Sequence, residues 1–105
     1  MRNETAQELA LYAVNDGQLY DSQAFAICRN LARKQLRGTY DADKALIAWQ
    51  HLAATSAQKY NAEFCGTGST WHHVFPVADR KDAARIIADH YQDQIAYELA
   101  TLKGN

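Results

Sequence analysis

Residues 65 to 76, CGTGSTWHHVFP, hold the densest group of chemically capable side chains in this chain of 105 residues. Cys65, His72 and His73, with His90 further along, could supply zinc ligands or a thiol nucleophile with an imidazole base. Zinc sites usually show paired short spacings such as C-x-x-C, and adjacent histidines point apart. A helix C-terminus at Cys65 also disfavours the thiolate. We therefore expect no metal ion, no cofactor and no catalytic residue here.

The same stretch is better interpreted as a corner between two helices. Trp71 and Phe75 are expected to plug the end of the helical bundle, and the proline at 76 biases the residue before it away from helix. An exposed Trp71 beside His72 and His73 would instead form a binding surface, because aromatic residues are enriched among interface anchors. Trp71, His72 and His73 are therefore candidates for partner binding.

A second group of candidates is a row of positive charges. Arg29, Arg33 and Arg37 are spaced four residues apart, with Lys34 alongside. This spacing places the arginines on one helical face, which could contact nucleic-acid phosphates or an acidic protein surface. A solvated face with some charges paired to nearby carboxylates is the alternative. Nucleic acid is the less favoured partner, because no aromatic residues interleave the row and the net charge is -1.

The elements that must position these residues are all helical. Apolar residues recur every three to four positions, and no window alternates with period two. Glycines follow the periodic segments, and Asp41 and Asp79 are suitable N-caps. The sequence predicts a single-domain bundle of about four helices, at approximately 5–15, 19–37, 41–65 and 79–103. Cys28 is expected in the core, and the apolar stripe of the third helix is expected to run from Ala42 to Phe64.

Composition agrees with one folded domain spanning residues 1–105. Hydrophobic residues make up 48% and charged residues 22%, which is ordinary for a globular protein. Two cysteines do not make a disulfide framework, and reduced thiols are the simpler interpretation. The start, MRNETAQE, has no apolar run, and no window approaches the roughly 18 apolar residues of a membrane span. We expect no membrane association.

The order of several short motifs resembles a family of small uncharacterised proteins from phages, plasmids and integrative elements, over about residues 9 to 98. The motifs are an ND-G-LY turn, an RG-Y turn before a long helix, and KY…EF at the end of that helix. Here they comprise Asn15, Asp16, Gly17, Leu19 and Tyr20; Arg37, Gly38 and Tyr40; and Lys59, Tyr60, Glu63 and Phe64. The resemblance implies a mobile-element accessory protein in a bacterial cytoplasm.

The resemblance carries no known activity and no functional residue. Proteins of this size and origin are often stoichiometric binders that block host defence, anti-CRISPR proteins included. We therefore expect a non-enzymatic protein that binds a host or phage protein, with a CRISPR-Cas component as one such target. The alternative is a nucleic-acid-binding accessory protein that uses the basic face of the second helix. The sequence leaves monomer and homodimer open.

Overall fold

The structure is a computed structural model that describes residues 4–64 and 75–104, and these residues form five α-helices. The helices are α1 (Glu4–Asn15), α2 (Gly17–Leu19, Tyr20–Ala24 and Phe25–Arg37 in succession), α3 (Ala42–Phe64), α4 (Val77–His90) and α5 (Gln92–Gly104). No strand occurs in these two ranges. The predicted all-α class is confirmed, and the helix count is five rather than four.

A single residue, Asp16, separates α1 from α2. Its Oδ1 accepts a hydrogen bond from the backbone N–H of Leu19 at 3.0 Å, which makes Asp16 the N-cap of α2. The helix therefore begins at Gly17, two residues before the predicted start. Further along, the N–H of Phe25 bonds to the carbonyl of Tyr20, five residues back. Residues Tyr20–Ala24 are consequently a π-helical turn within α2.

The corner between α2 and α3 follows the sequence prediction closely. Gly38 ends α2 in the left-handed conformation with φ 77°, and the N–H of Thr39 bonds to the carbonyl of Lys34 at 2.9 Å. Asp41 then caps α3, because its Oδ1 accepts a hydrogen bond from the N–H of Asp43 at 2.9 Å. Local side-chain chemistry therefore fixes both ends of this corner.

The predicted single helix over 79–103 is wrong in two respects. It begins earlier, at Val77, so Asp79 lies within the first turn and is not the N-cap. It is also broken at Tyr91, where φ is -93° and ψ is 7°, into α4 and α5. No glycine or proline marks the break. Instead, the Tyr91 ring is stacked on Trp49 of α3, with 5.3 Å between centroids and 6° between planes.

The five helices form two packed groups. Helices α1, α3 and α4 pack on one another, while α5 packs chiefly on the Phe25–Arg37 part of α2. Many alanines are fully buried, which allows close approach of the helices. The molecule is elongated, at 48 × 28 × 19 Å, and its radius of gyration of 14.5 Å exceeds the roughly 13 Å typical of a compact domain of about 100 residues.

Most predicted core positions are buried, with some exceptions at the ends of α3. Trp49 and Phe75 are 1% exposed, and Cys28 is completely buried, as predicted. In contrast, Ala42 and Phe64 are exposed, so the buried stripe of α3 is shorter than predicted. Within the described ranges, no helix has both the length and the apolar character that crossing a membrane requires.

Candidate functional site

The basic residues predicted for partner binding lie along one part of α2. Arg29, Arg33 and Arg37 are exposed, and Lys34 is half-buried. In residues 4–64 and 75–104, none of the three arginines forms an ion pair with a carboxylate. The guanidinium carbon of Arg29 lies 5.6 Å from the centroid of the Phe25 ring. The structure thus presents a row of arginines that is open to solvent.

The other predicted partner-binding residues, Trp71, His72 and His73, lie outside the described residues, as does Cys65. Their neighbours on either side are described. Phe64 and Phe75 both contact the ring of Tyr60, with centroid distances of 4.7 and 5.1 Å. The predicted candidates therefore belong to a segment whose two flanking aromatic residues meet at Tyr60.

The described cysteine and histidines do not converge on one point. His90 is exposed on α4. Cys28 is buried, and this burial raises the pKa of its thiol to about 12. No group of three or more His, Cys, Asp or Glu side chains in the described part of the chain is arranged to hold a metal ion.

An open cleft of about 520 Å³ lies where the end of α1 and the α1–α2 corner approach the end of α3. We refer to it as the aromatic cleft. It is lined by Glu8, Leu11, Tyr12, Asn15, Asp16, Tyr60 and Phe64. Its volume is within the range of roughly 300–1,000 Å³ that is typical of ligand sites. The cleft therefore has the size of a binding site.

Three aromatic rings shape the cleft. Tyr12 meets Tyr60 edge to face at 5.4 Å, and it meets Phe64 edge to face at 6.3 Å. Phe64 is nevertheless 65% exposed, and Leu11 on α1 is 61% exposed. Phe64 and Leu11 therefore add two exposed apolar side chains to the lining of the cleft.

The acidic corner of the cleft is held by a single ion pair. The ammonium of Lys59 on α3 lies 2.7 Å from Oδ2 of Asp16 and 2.7 Å from Oε1 of Gln18. The hydrogen bond from Lys59, together with the cap bond from Leu19, lowers the pKa of Asp16. The Lys59 ammonium is thus committed to residues of the α1–α2 corner.

The remaining carboxylates lie beside the tyrosines. The hydroxyl of Tyr60 donates a hydrogen bond to Oε1 of Glu8 at 2.8 Å. The pKa of Tyr12 is raised to about 12 by burial and by the neighbouring Glu63 carboxylate. Tyr12 is therefore neutral at physiological pH. The described lining of the cleft consequently combines aromatic rings with carboxylates.

Comparison with known proteins gave no family model, no curated protein and no solved structure that matches this chain. The resemblance to mobile-element proteins therefore remains a prediction from the sequence. Two of the segments that carry it, Asn15 to Tyr20 and Lys59 to Phe64, meet in the structure through the contact between Asp16 and Lys59.

The aromatic cleft does not follow from the sequence pattern. Tyr60 and Phe64 fit the apolar stripe of α3, and the sequence does not give their distance in space from Tyr12. The sequence does place Glu8 and Tyr12 four residues apart, on one face of α1, with Asp16 just beyond the end of that helix. That face reaches Tyr60 only after the two helices pack.

Proposed function

We propose that this protein is a non-enzymatic accessory protein of a mobile element and that it acts by binding a host or phage protein. The observation that carries the proposal is the aromatic cleft, in which Phe64 and Leu11 are largely exposed beside half-buried tyrosines. Exposed aromatic residues on a rigid helical scaffold are effective anchors for a protein partner.

The proposed setting is the cytoplasm of a bacterial host, and the proposed action is inhibition of a host-defence factor such as a CRISPR-Cas component. This setting is supported by the resemblance of the ND-G-LY, RG-Y and KY…EF motifs to proteins of mobile elements. Occupation of a functional surface on the target would suffice for inhibition, because a stoichiometric binder requires no chemistry of its own.

Photo-crosslinking from defined positions tests the proposal. A benzoyl-phenylalanine at position 64 is expected to crosslink one partner protein in the native cells. The same group at position 97, where Tyr97 is 68% exposed on α5, serves as the matched control. Loss of the crosslinked partner on Leu11→Ala substitution would support binding at the cleft. Equal crosslinking from both positions would contradict it.

A second function is favoured by the open arginine row on α2. Nucleic acid would bind there through its phosphates, so binding would weaken steeply with salt. A gel shift with duplex and single-stranded DNA tests this function. Arg33→Glu should abolish the shift, whereas Lys81→Glu, which changes the same charge at an exposed position of α4, should leave it largely intact. An equal effect of the two substitutions would indicate unspecific attraction.

A further inference from the structure

The charge of the aromatic cleft indicates the chemistry of its partner. Glu8 and Asp16 line the cleft, and Glu63 lies beside Tyr12. Lys59 offsets one of these charges, because it is paired with Asp16. Among the described residues, the lining of the cleft and Glu63 therefore carry a net negative charge, and a cationic group is the complementary occupant.

The rings add a second reason to expect a cation. The face of an aromatic ring is negative and attracts a guanidinium or ammonium group within about 6 Å of the centroid. Tyr12 and Phe64 are nearly perpendicular, at 78°, so the cluster presents ring surfaces in more than one direction. The chain already contains one such contact, between Arg29 and Phe25.

Arginine suits this site better than lysine. Its planar guanidinium can stack on a ring and at the same time donate hydrogen bonds to a carboxylate. The compact ammonium of lysine has no planar face with which to stack. Glu8 accepts the Tyr60 hydroxyl through Oε1, and its side chain is exposed, so Oε2 can accept another donor. The exposed side chains of Leu11 and Phe64 provide apolar contact for the aliphatic stem of an arginine.

We propose that the aromatic cleft binds an arginine side chain, with an apolar residue beside it, from an exposed segment of the partner protein. This inference rests on the proposed function and specifies its partner. The carboxylate of Glu8 and the rings of Tyr60 and Phe64 form the contact. The arginine row of a second copy of this chain is the competing source of a guanidinium group.

Two peptides that differ in one side chain provide the test. Acetyl-Leu-Arg-Leu-amide and acetyl-Leu-Gln-Leu-amide are titrated into the labelled protein, and backbone amide shifts are followed by NMR. The arginine peptide should shift amides near Glu8, Tyr12 and Phe64, with an affinity at least about tenfold higher than that of the glutamine peptide. Sedimentation of the free protein shows whether a second copy occupies the site.

Matched variants assign the effect to the cleft. Glu8→Gln should weaken the arginine peptide about fivefold, because it removes the charge and keeps the shape. Phe64→Ala should weaken both peptides, and because Phe64 is 65% exposed, the substitution removes little buried surface. Asp93→Asn, an exposed charge change on α5, should alter neither affinity.

The outcomes separate this inference from the proposed function. Equal affinity for the two peptides at the cleft would overturn the arginine inference and leave a protein-binding cleft in place. No shift with either peptide would also overturn it, while crosslinking from position 64 would still decide the proposed function. A self-associated protein whose dimer is lost in Arg33→Glu would identify a second copy as the occupant, and this too would overturn the inference.

Discussion

A single side chain in this protein can connect two helices. Asp16 is the clearest case, because one carboxylate caps α2 through Oδ1 and binds Lys59 of α3 through Oδ2. The sequence predicts only that Asp16 belongs to an Asn-Asp-Gly turn, and it does not predict that Asp16 links two helices. Its second role depends on a lysine that lies 43 positions away.

Replacement of Asp16 by asparagine separates its two roles. Asparagine remains a good N-cap, so the variant loses mainly the charge interaction with Lys59. Since the folded-state pKa of Asp16 is lowered, its contribution to stability is present above the unfolded pKa of about 4 and is lost as pH falls through the lower folded pKa. Thermal unfolding should show a less stable variant at pH 7.

The effect of Asp16→Asn on stability should depend on pH. The difference in melting temperature between the parent and Asp16→Asn should shrink as pH falls below about 4, because the parent then loses the same charge. A difference that is unchanged at low pH would show that the ion pair with Lys59 contributes little and that the cap dominates.

At Tyr91, a substitution is expected to increase the stability of the protein. Its ring is buried on Trp49, but its buried hydroxyl has no hydrogen-bond partner in the described residues. Removal of an unsatisfied buried hydroxyl is favourable, so Tyr91→Phe should raise the free energy of unfolding by about 1 kcal/mol in urea denaturation. Tyr60→Phe is the control. Its hydroxyl is bonded to Glu8, and this variant should not be stabilised.

At the scale of the helices, the sequence predicts ends better than interruptions. Gly38 and Asp41 act through local backbone geometry, so their roles could be predicted from residue type and position. The break at Tyr91 could not, because Ile87, Tyr91 and Ile95 continue a regular step of four and are all buried. Packing of the Tyr91 ring on α3, rather than a helix-breaking residue, coincides with the break.

Two glycine substitutions test this distinction. Gly38→Ala should lower the free energy of unfolding by about 1–2 kcal/mol, because a side chain is strained at φ 77°. Gly17→Ala should raise it by about 0.5–1 kcal/mol, since Gly17 has no positive φ and an added Cβ would meet no atom within 4 Å. Chemical denaturation measures both. A similar loss in the two variants would contradict the assignment of Gly38 as a left-handed cap.

At the scale of the whole molecule, two groups of helices share one aromatic junction. Tyr91 contacts Trp49 of α3 and Tyr20 of α2, with a centroid distance of 6.3 Å to Tyr20. The sequence predicted the all-α class and most of the buried faces, because these follow from periodicity. It did not predict which helices pair, nor the aromatic cleft, because Glu8 and Tyr60 are 52 positions apart and meet only through packing.

Because the helices form two packed groups, a substitution in one group should destabilise that group more than the other. Ile95 is 3% exposed on α5, so Ile95→Ala should destabilise the protein by about 2–5 kcal/mol. The substitution should accelerate amide hydrogen exchange more in α5 and in Phe25–Arg37 than in α1, because α5 packs chiefly on that part of α2. Ile86→Ala, at a 38% exposed position, is the control and should have a smaller effect. Uniformly faster exchange would indicate a single cooperative bundle.

The π-helical turn at Tyr20–Ala24 sets the direction in which the arginine row faces. A π-helical turn is equivalent to one residue inserted into an α-helix, and one residue corresponds to a rotation of about 100° around the axis. Deletion of one exposed residue from this turn, such as Ser22, would therefore rotate everything after it by about that angle. Either Cys28 and Leu31 would leave their buried positions, or the arginines would point toward a different side of the molecule.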